Sequence, residues 1–123
     1  MADQTASYSL GEEIANSVTH GVAAIFSVVG LILMVTLAAL RSQSAVAVTA
    51  VAIFGASMIV LYTASTLYHA ITNRKAKKIL QVFDHSSIYL LIAGSYTPFC
   101  LITLQGTLGW TLCIAEWVLA AVG

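Results

Sequence analysis

Three strings in the sequence gather side chains able to move protons or bind a metal: Glu13-x-x-Asn16-x-x-x-His20, Ser65-x-x-x-His69 and Asp84-His85. Glu13, Asn16 and His20 are spaced i, i+3, i+7 and so share one face of a helix. Tyr62, Ser65 and His69 repeat that spacing. A neutral imidazole such as His69 is a good zinc ligand, and catalytic zinc usually takes three protein ligands and leaves a position for water. A carboxylate such as Asp84 could hold that water or accept its proton. Ser65, one turn before His69, could orient the ring or a substrate carbonyl. Zinc that lowers the pKa of its water and polarises a carbonyl suits amide or ester hydrolysis.

The elements that must position these residues are membrane spans. Hydrophobic residues make up 59% of the 123 positions and charged residues 8%, against roughly 25% charged in soluble domains. Residues 14–40, 42–73 and 85–115 contain no Asp, Glu, Lys or Arg, and each run exceeds the roughly 20 residues that cross a bilayer as a helix. A buried bundle of a soluble protein is the competing reading, but its helices would carry polar outer stripes. Val22–Leu40 and Ala45–Tyr62 are apolar all round. The first eleven residues lack the basic region of a secretory signal, and the first apolar stretch is longer than a signal core. Zero formal net charge with a single basic cluster gives no sign of nucleic-acid binding. Cys100 and Cys113 form no pair motif and read as small apolar membrane residues.

The fold expected is all-α, a multi-span transmembrane bundle forming a single domain over residues 1–123. A polar tail covers residues 1–11, and a helix from near Glu12 runs to Leu40, embedded from about Val18. Arg41–Ser44 is a tight turn, and the second span runs from Ala45 to Ala70. Asn73–Lys78 reads as a basic loop and Phe83–Leu104 as the third span, with Pro98 kinking it or ending it early. After a turn at Gln105–Thr107, a fourth span starts near Leu108 and is still apolar at Gly123, as in a chain truncated within a helix.

Arg74, Lys75, Lys77 and Lys78 stand in one connection against Arg41 in the other. The positive-inside rule then places the N-terminus and the second connection in the cytoplasm. The start of span one, the end of span two and the start of span three share that face, so Glu13, Asn16, His20, Ser65, His69 and Asp84 converge there. An ionisable residue at a span edge is by default a candidate working part. Each also has a plainer role: His69 and Asp84 reaching interfacial water, His20 bonding between helices, Ser65 bonding to its own helix. His85 points about 100° away from Asp84 around a helix and reads as structural. Tyr68 and Tyr89 suit an interfacial aromatic belt, and Ala52, Gly55 and Ala56 offer close helix contact.

The three strings, with the run Asp84-His85-Ser86-Ser87-Ile88-Tyr89 continuing to Pro98-Phe99, resemble the hemolysin III family, the bacterial branch of the progestin and adipoQ receptor superfamily. The resemblance covers about Tyr8 to the C-terminus. It implies a seven-helix protein of the bacterial inner membrane with a cytoplasmic N-terminus. It also implies zinc near the cytoplasmic face, with His69 as a ligand, Asp84 beside the bound water and Ser65 in the same site, while Glu13, Asn16 and His20 keep an open role. The family's remaining zinc ligands are histidines of the last helix, which this chain lacks, so the zinc site expected here is incomplete. The activity implied is haemolysis or membrane-lipid homeostasis, with membrane lipids as partners. The alternative is a zinc-dependent, ceramidase-like lipid amide hydrolase or a membrane receptor or sensor.

Overall fold

The protein is seen in a computed structural model that describes residues 8–123. Most of the polar tail expected at residues 1–11 therefore lies outside the described residues. Among the described residues there are helices and no strand. The chain enters α1 (Leu10–Arg41) through a capping box. The Ser9 hydroxyl accepts from the Glu12 N–H at 3.2 Å, and the Ser9 N–H donates to the Glu12 carboxylate at 2.7 Å. Two end groups that a helix leaves without partners are thereby satisfied. Gln43, at φ 50°, turns the chain. The Ser44 hydroxyl then accepts from the Ala47 N–H at 3.3 Å to open α2 (Ala45–Ala70), whose bounds are those expected.

The third span begins earlier than expected. Asn73–Lys78, read above as a loop ahead of a span at Phe83, supplies the cap and first turns of α3 (Arg74–Pro98). The Asn73 side chain accepts from the N–H groups of Lys75 and Ala76 at 3.0 and 3.1 Å. Arg, Lys and Ala are strong helix formers, so the run winds as soon as a cap is in place. Only residues 71–73 connect α2 to α3.

Pro98 ends α3 as an α-helix, and Phe99–Leu104 follow as a π-helical segment. It is closed by the Gln105 N–H donating to the Cys100 carbonyl at 2.9 Å. Proline has no N–H, and its ring crowds the carbonyl four residues back; the wider π winding is a local way to accommodate such a break. Gln105 (φ 58°) and Gly106 (φ 62°) reverse the chain into α4 (Gly106–Val122), slightly ahead of the expected Leu108.

α2 lies between α1 and α3, which do not pack on each other, and α4 packs on α3 and the π segment. The crossings depend on missing side chains. A Cβ on Gly55 would come within 3.0 Å of Leu31 Cβ, and one on Gly94 within 2.9 Å of Ser57 Cβ. Of the small residues singled out in span two, Gly55 is buried and Ala56 is exposed. Buried hydroxyls of Ser27, Ser57 and Thr97 bond to carbonyls of their own helices. Trp117 Nε1 donates to Thr97 Oγ1 at 2.9 Å and ties α4 to α3. Small residues in contact and polar bonds between helices are how spans associate where no water drives them together. Cys100 and Cys113 are buried free thiols.

The outer surface is apolar, with Ile25, Phe26, Ile32, Val82 and Phe83 among many exposed large side chains. Leu10–Arg41, Ala45–Ala70 and Arg74–Leu104 are each long and apolar enough to cross a membrane, and α4 is a shorter apolar helix.

Candidate functional site

The start of α1, the end of α2 and the start of α3 meet at one end of the bundle, because two connections of a few residues make consecutive helices neighbours. His69 is at the centre of this junction. Its side chain is 6% exposed, and Nδ1 lies 3.6 Å from Glu13 Oε1, with no hydrogen-bond partner among the described residues. The His20 ring stands edge-on to it with centroids 6.1 Å apart, and Tyr8 covers it at 5.2 Å. His20 Nδ1 is hydrogen-bonded to Ser65 Oγ, a bond that joins α1 to α2, and its ring meets Tyr62 edge-on at 5.8 Å. Ser17 Oγ donates to the Thr66 carbonyl at 3.4 Å in the same crossing. Asn16 is half-buried on the face of α1 that carries Glu13 and His20.

Lys77 is the residue that sequence reasoning missed. A topology signal in the sequence, it is a structural tie in the fold: its ammonium sits 2.5 Å from Glu13 Oε2 and donates to the Tyr68 carbonyl at 2.8 Å. It also reaches the Ile71 carbonyl at 3.5 Å and lies 4.8 Å above the Tyr68 ring. The last carbonyls of a helix lack partners and carry its negative end, so a cation close after α2 was the available signal. Through Lys77, α3 reaches α1 across the end of α2.

Tyr68, expected in an exposed aromatic belt, is 2% exposed. It is enclosed by Lys77 and by the rings of His69 and His85. Tyr89 is exposed, as a belt residue would be. Asp84 has His85 as its ionic neighbour, Oδ2 to Nδ1 at 3.6 Å. No bond joins its carboxylate to Ser65 or His69 among the described residues. His85 is 62% exposed and donates to the Gln81 carbonyl at 2.9 Å. The junction therefore brings together Glu13, His20, Ser65, His69 and Lys77, with Asp84 set apart beside His85, whose ring meets Tyr68.

The donor set can be tested against zinc. Among the described residues no three His, Cys, Asp or Glu side chains form a group that could hold a metal ion. His20 Nδ1 is engaged by Ser65 and Glu13 Oε2 by Lys77, and the buried Nδ1 of His69 has no hydrogen-bond partner among the described residues. Zinc sites use three or four protein ligands, so the residues present do not by themselves fit a zinc ion.

The His20–Ser65 bond yields a first prediction. Ser65→Ala leaves an imidazole nitrogen between packed helices without its partner, at an expected cost of about 1 kcal/mol. Unfolding in detergent micelles, with the His20→Phe and double variants, reads the coupling. Independent, additive effects of the two substitutions would show that the bond contributes nothing.

Residues 8–123 match the family described as Haemolysin-III related. The chain belongs to that family. It is 52% identical over 112 residues to Hemolysin-3 of Bacillus cereus, covering 91% of this chain and 51% of that protein. It is 48% identical over 116 residues to the Hemolysin-3 homolog of Bacillus subtilis (strain 168), covering 94% of this chain and 54% of the relative. The chain thus spans about half the length of the curated relatives it matches. No solved structure matches it significantly. With the apolar helices, the family makes this a hemolysin III-like membrane protein, as the three sequence strings implied.

Proposed function

We propose that this protein acts on the bilayer that contains it, making the membrane leaky or adjusting its lipid composition. It does so from the bacterial inner (plasma) membrane, with its N-terminus and the α2–α3 connection in the cytoplasm. The observation that carries the reading is the identity of about half the residues to proteins named for haemolysis, in a chain whose lipid-compatible surface ends in one charged junction. The orientation is supported by Arg74, Lys75, Lys77 and Lys78 at that junction, against Arg41 at the opposite turn.

Purified protein reconstituted into dye-loaded vesicles is expected to release the dye, with or without a metal chelator. Vesicles that stay tight at high protein density would remove the lytic reading. For orientation, Gln43→Cys should react with a membrane-impermeant maleimide on intact cells, and Thr72→Cys only after permeabilisation. The reverse pattern would invert the proposed topology.

A second reading, a zinc-dependent lipid amide hydrolase or a zinc-bearing receptor or sensor, is favoured by the buried Nδ1 of His69, which has no hydrogen-bond partner among the described residues. Its other ligands would have to come from outside the residues described here. The expected result is about one zinc per full-length protein, lost in His69→Ala while the helical content is kept. Metal-free full-length protein would remove this reading and leave the lytic one intact.

A further inference from the structure

The same junction opens into a cleft of about 1040 Å³ between the first turns of α1, the end of α2 and the first turns of α3. Its two sides differ in character. One is the apolar stripe Leu10, Ile14 and Val18, spaced i, i+4, i+8 and largely exposed, a strip about 12 Å long at 1.5 Å rise per residue. The other carries Arg74, Lys75 and Lys78, exposed and in no ion pair among the described residues. Lys78 stands i+4 from Arg74 and i+3 from Lys75, so the three cations share a face. Glu13 also lines the cleft, but its carboxylate is matched by Lys77.

Two observations bear on what this cleft could hold. Stacking cations on the first turns of a helix opposes the positive end of its dipole, and Asn73 already takes the N–H groups of Lys75 and Ala76. The cost is relieved when an anion neutralises the side chains, and such local conflicts tend to mark functional sites. Independently, His69 forms part of the wall, and its buried Nδ1 has no hydrogen-bond partner among the described residues, although buried polar groups normally find partners.

We infer that this cleft binds an anionic phospholipid, its phosphate held by Arg74, Lys75 and Lys78 and one acyl chain lying along Leu10, Ile14 and Val18. Basic pockets between spans on the cytoplasmic side suit such headgroups, and the charged and apolar walls adjoin at the level where a lipid changes from headgroup to chain. The inference rests on the membrane location alone, so tight vesicles or a metal-free protein leave it standing.

The test is lipid binding to delipidated protein in neutral detergent. Phosphatidylglycerol is expected to bind at least about tenfold more tightly than phosphatidylcholine, each cation contributing about fivefold. The variant Arg74→Gln/Lys75→Gln/Lys78→Gln should lose that preference, and Arg74→Lys/Lys75→Arg/Lys78→Arg should keep it. If the triple glutamine variant does not insert, Arg74→Gln and Lys78→Gln singly should each weaken binding about fivefold. Equal binding of the two lipids, or an unchanged preference in the glutamine variants, overturns the proposal. Displacement of the lipid by millimolar inorganic phosphate would make the ligand a soluble anion and overturn it as well.

Discussion

Lys77→Met is expected to lower stability by about 2 kcal/mol, between the scales for exposed and buried ion pairs, because the Lys77–Glu13 pair is half-buried. Methionine keeps most of the hydrophobic stem that covers the Tyr68 ring and deletes only the ammonium. That strands the Glu13 carboxylate, 16% exposed at 3.6 Å from the buried His69, and leaves the Tyr68 and Ile71 carbonyls without the donor that closes α2. Glu13→Gln should cost less, about 1 kcal/mol, because Lys77 keeps both carbonyls and an amide oxygen. In the double variant no charge is stranded, so part of the single Lys77 loss should return. Chemical unfolding in micelles of all four proteins gives the cycle. A Lys77→Met protein as stable as the parent would show that the ammonium does not hold the junction.

The residues of this junction were not equally legible in the sequence. Spans one and two could be bounded because uncharged runs longer than a bilayer need no tertiary information. Convergence of the ends of α1 and α2 followed from a turn of a few residues, which leaves antiparallel packing as the available arrangement. α3 was misplaced because charge marks where a span leaves the hydrocarbon and does not mark where a helix starts. Asn73 carries the start as a cap, a signal overlooked beside four basic residues. Lys77 and Lys78 are adjacent and chemically identical in the sequence. Only the helical phase set by that cap turns one to Glu13 and the other to the cleft. The same phase decides Tyr68, which shares its neighbours' composition with an interfacial belt but faces α3. Asp84 was grouped with His69 by level along the membrane normal, and level leaves the angle around the helix undefined. The π segment after Pro98 was readable only as a disturbance, since proline states which bond is missing and not how the winding compensates.

That compensation is what makes Gly109→Ala the second large expected effect, a loss of about 3 kcal/mol with undocking of α4. A Cβ at residue 109 would run into the Cys100 carbonyl oxygen and stand 3.2 Å from the Cys100 carbonyl carbon. The obstacle is backbone, and it is committed. That oxygen accepts the Gln105 N–H closing the π segment, and the Gln105 carbonyl accepts from the Gly109 N–H at 3.1 Å. Moving Cys100 away breaks the first bond, and moving α4 away separates Trp117 from Thr97. Trp117 therefore reports the outcome: in a Trp110→Phe background it is the only tryptophan, and its emission should shift when its N–H loses Thr97 and enters lipid. Gly30→Ala is the control, because nothing stands within 4 Å of a Cβ there and alanine favours the helix by up to about 1 kcal/mol. Parental emission and stability in Gly109→Ala would mean that α4 and the π segment slide freely past each other. The break at Pro98 would then be a local irregularity rather than the seat on which the fourth helix rests.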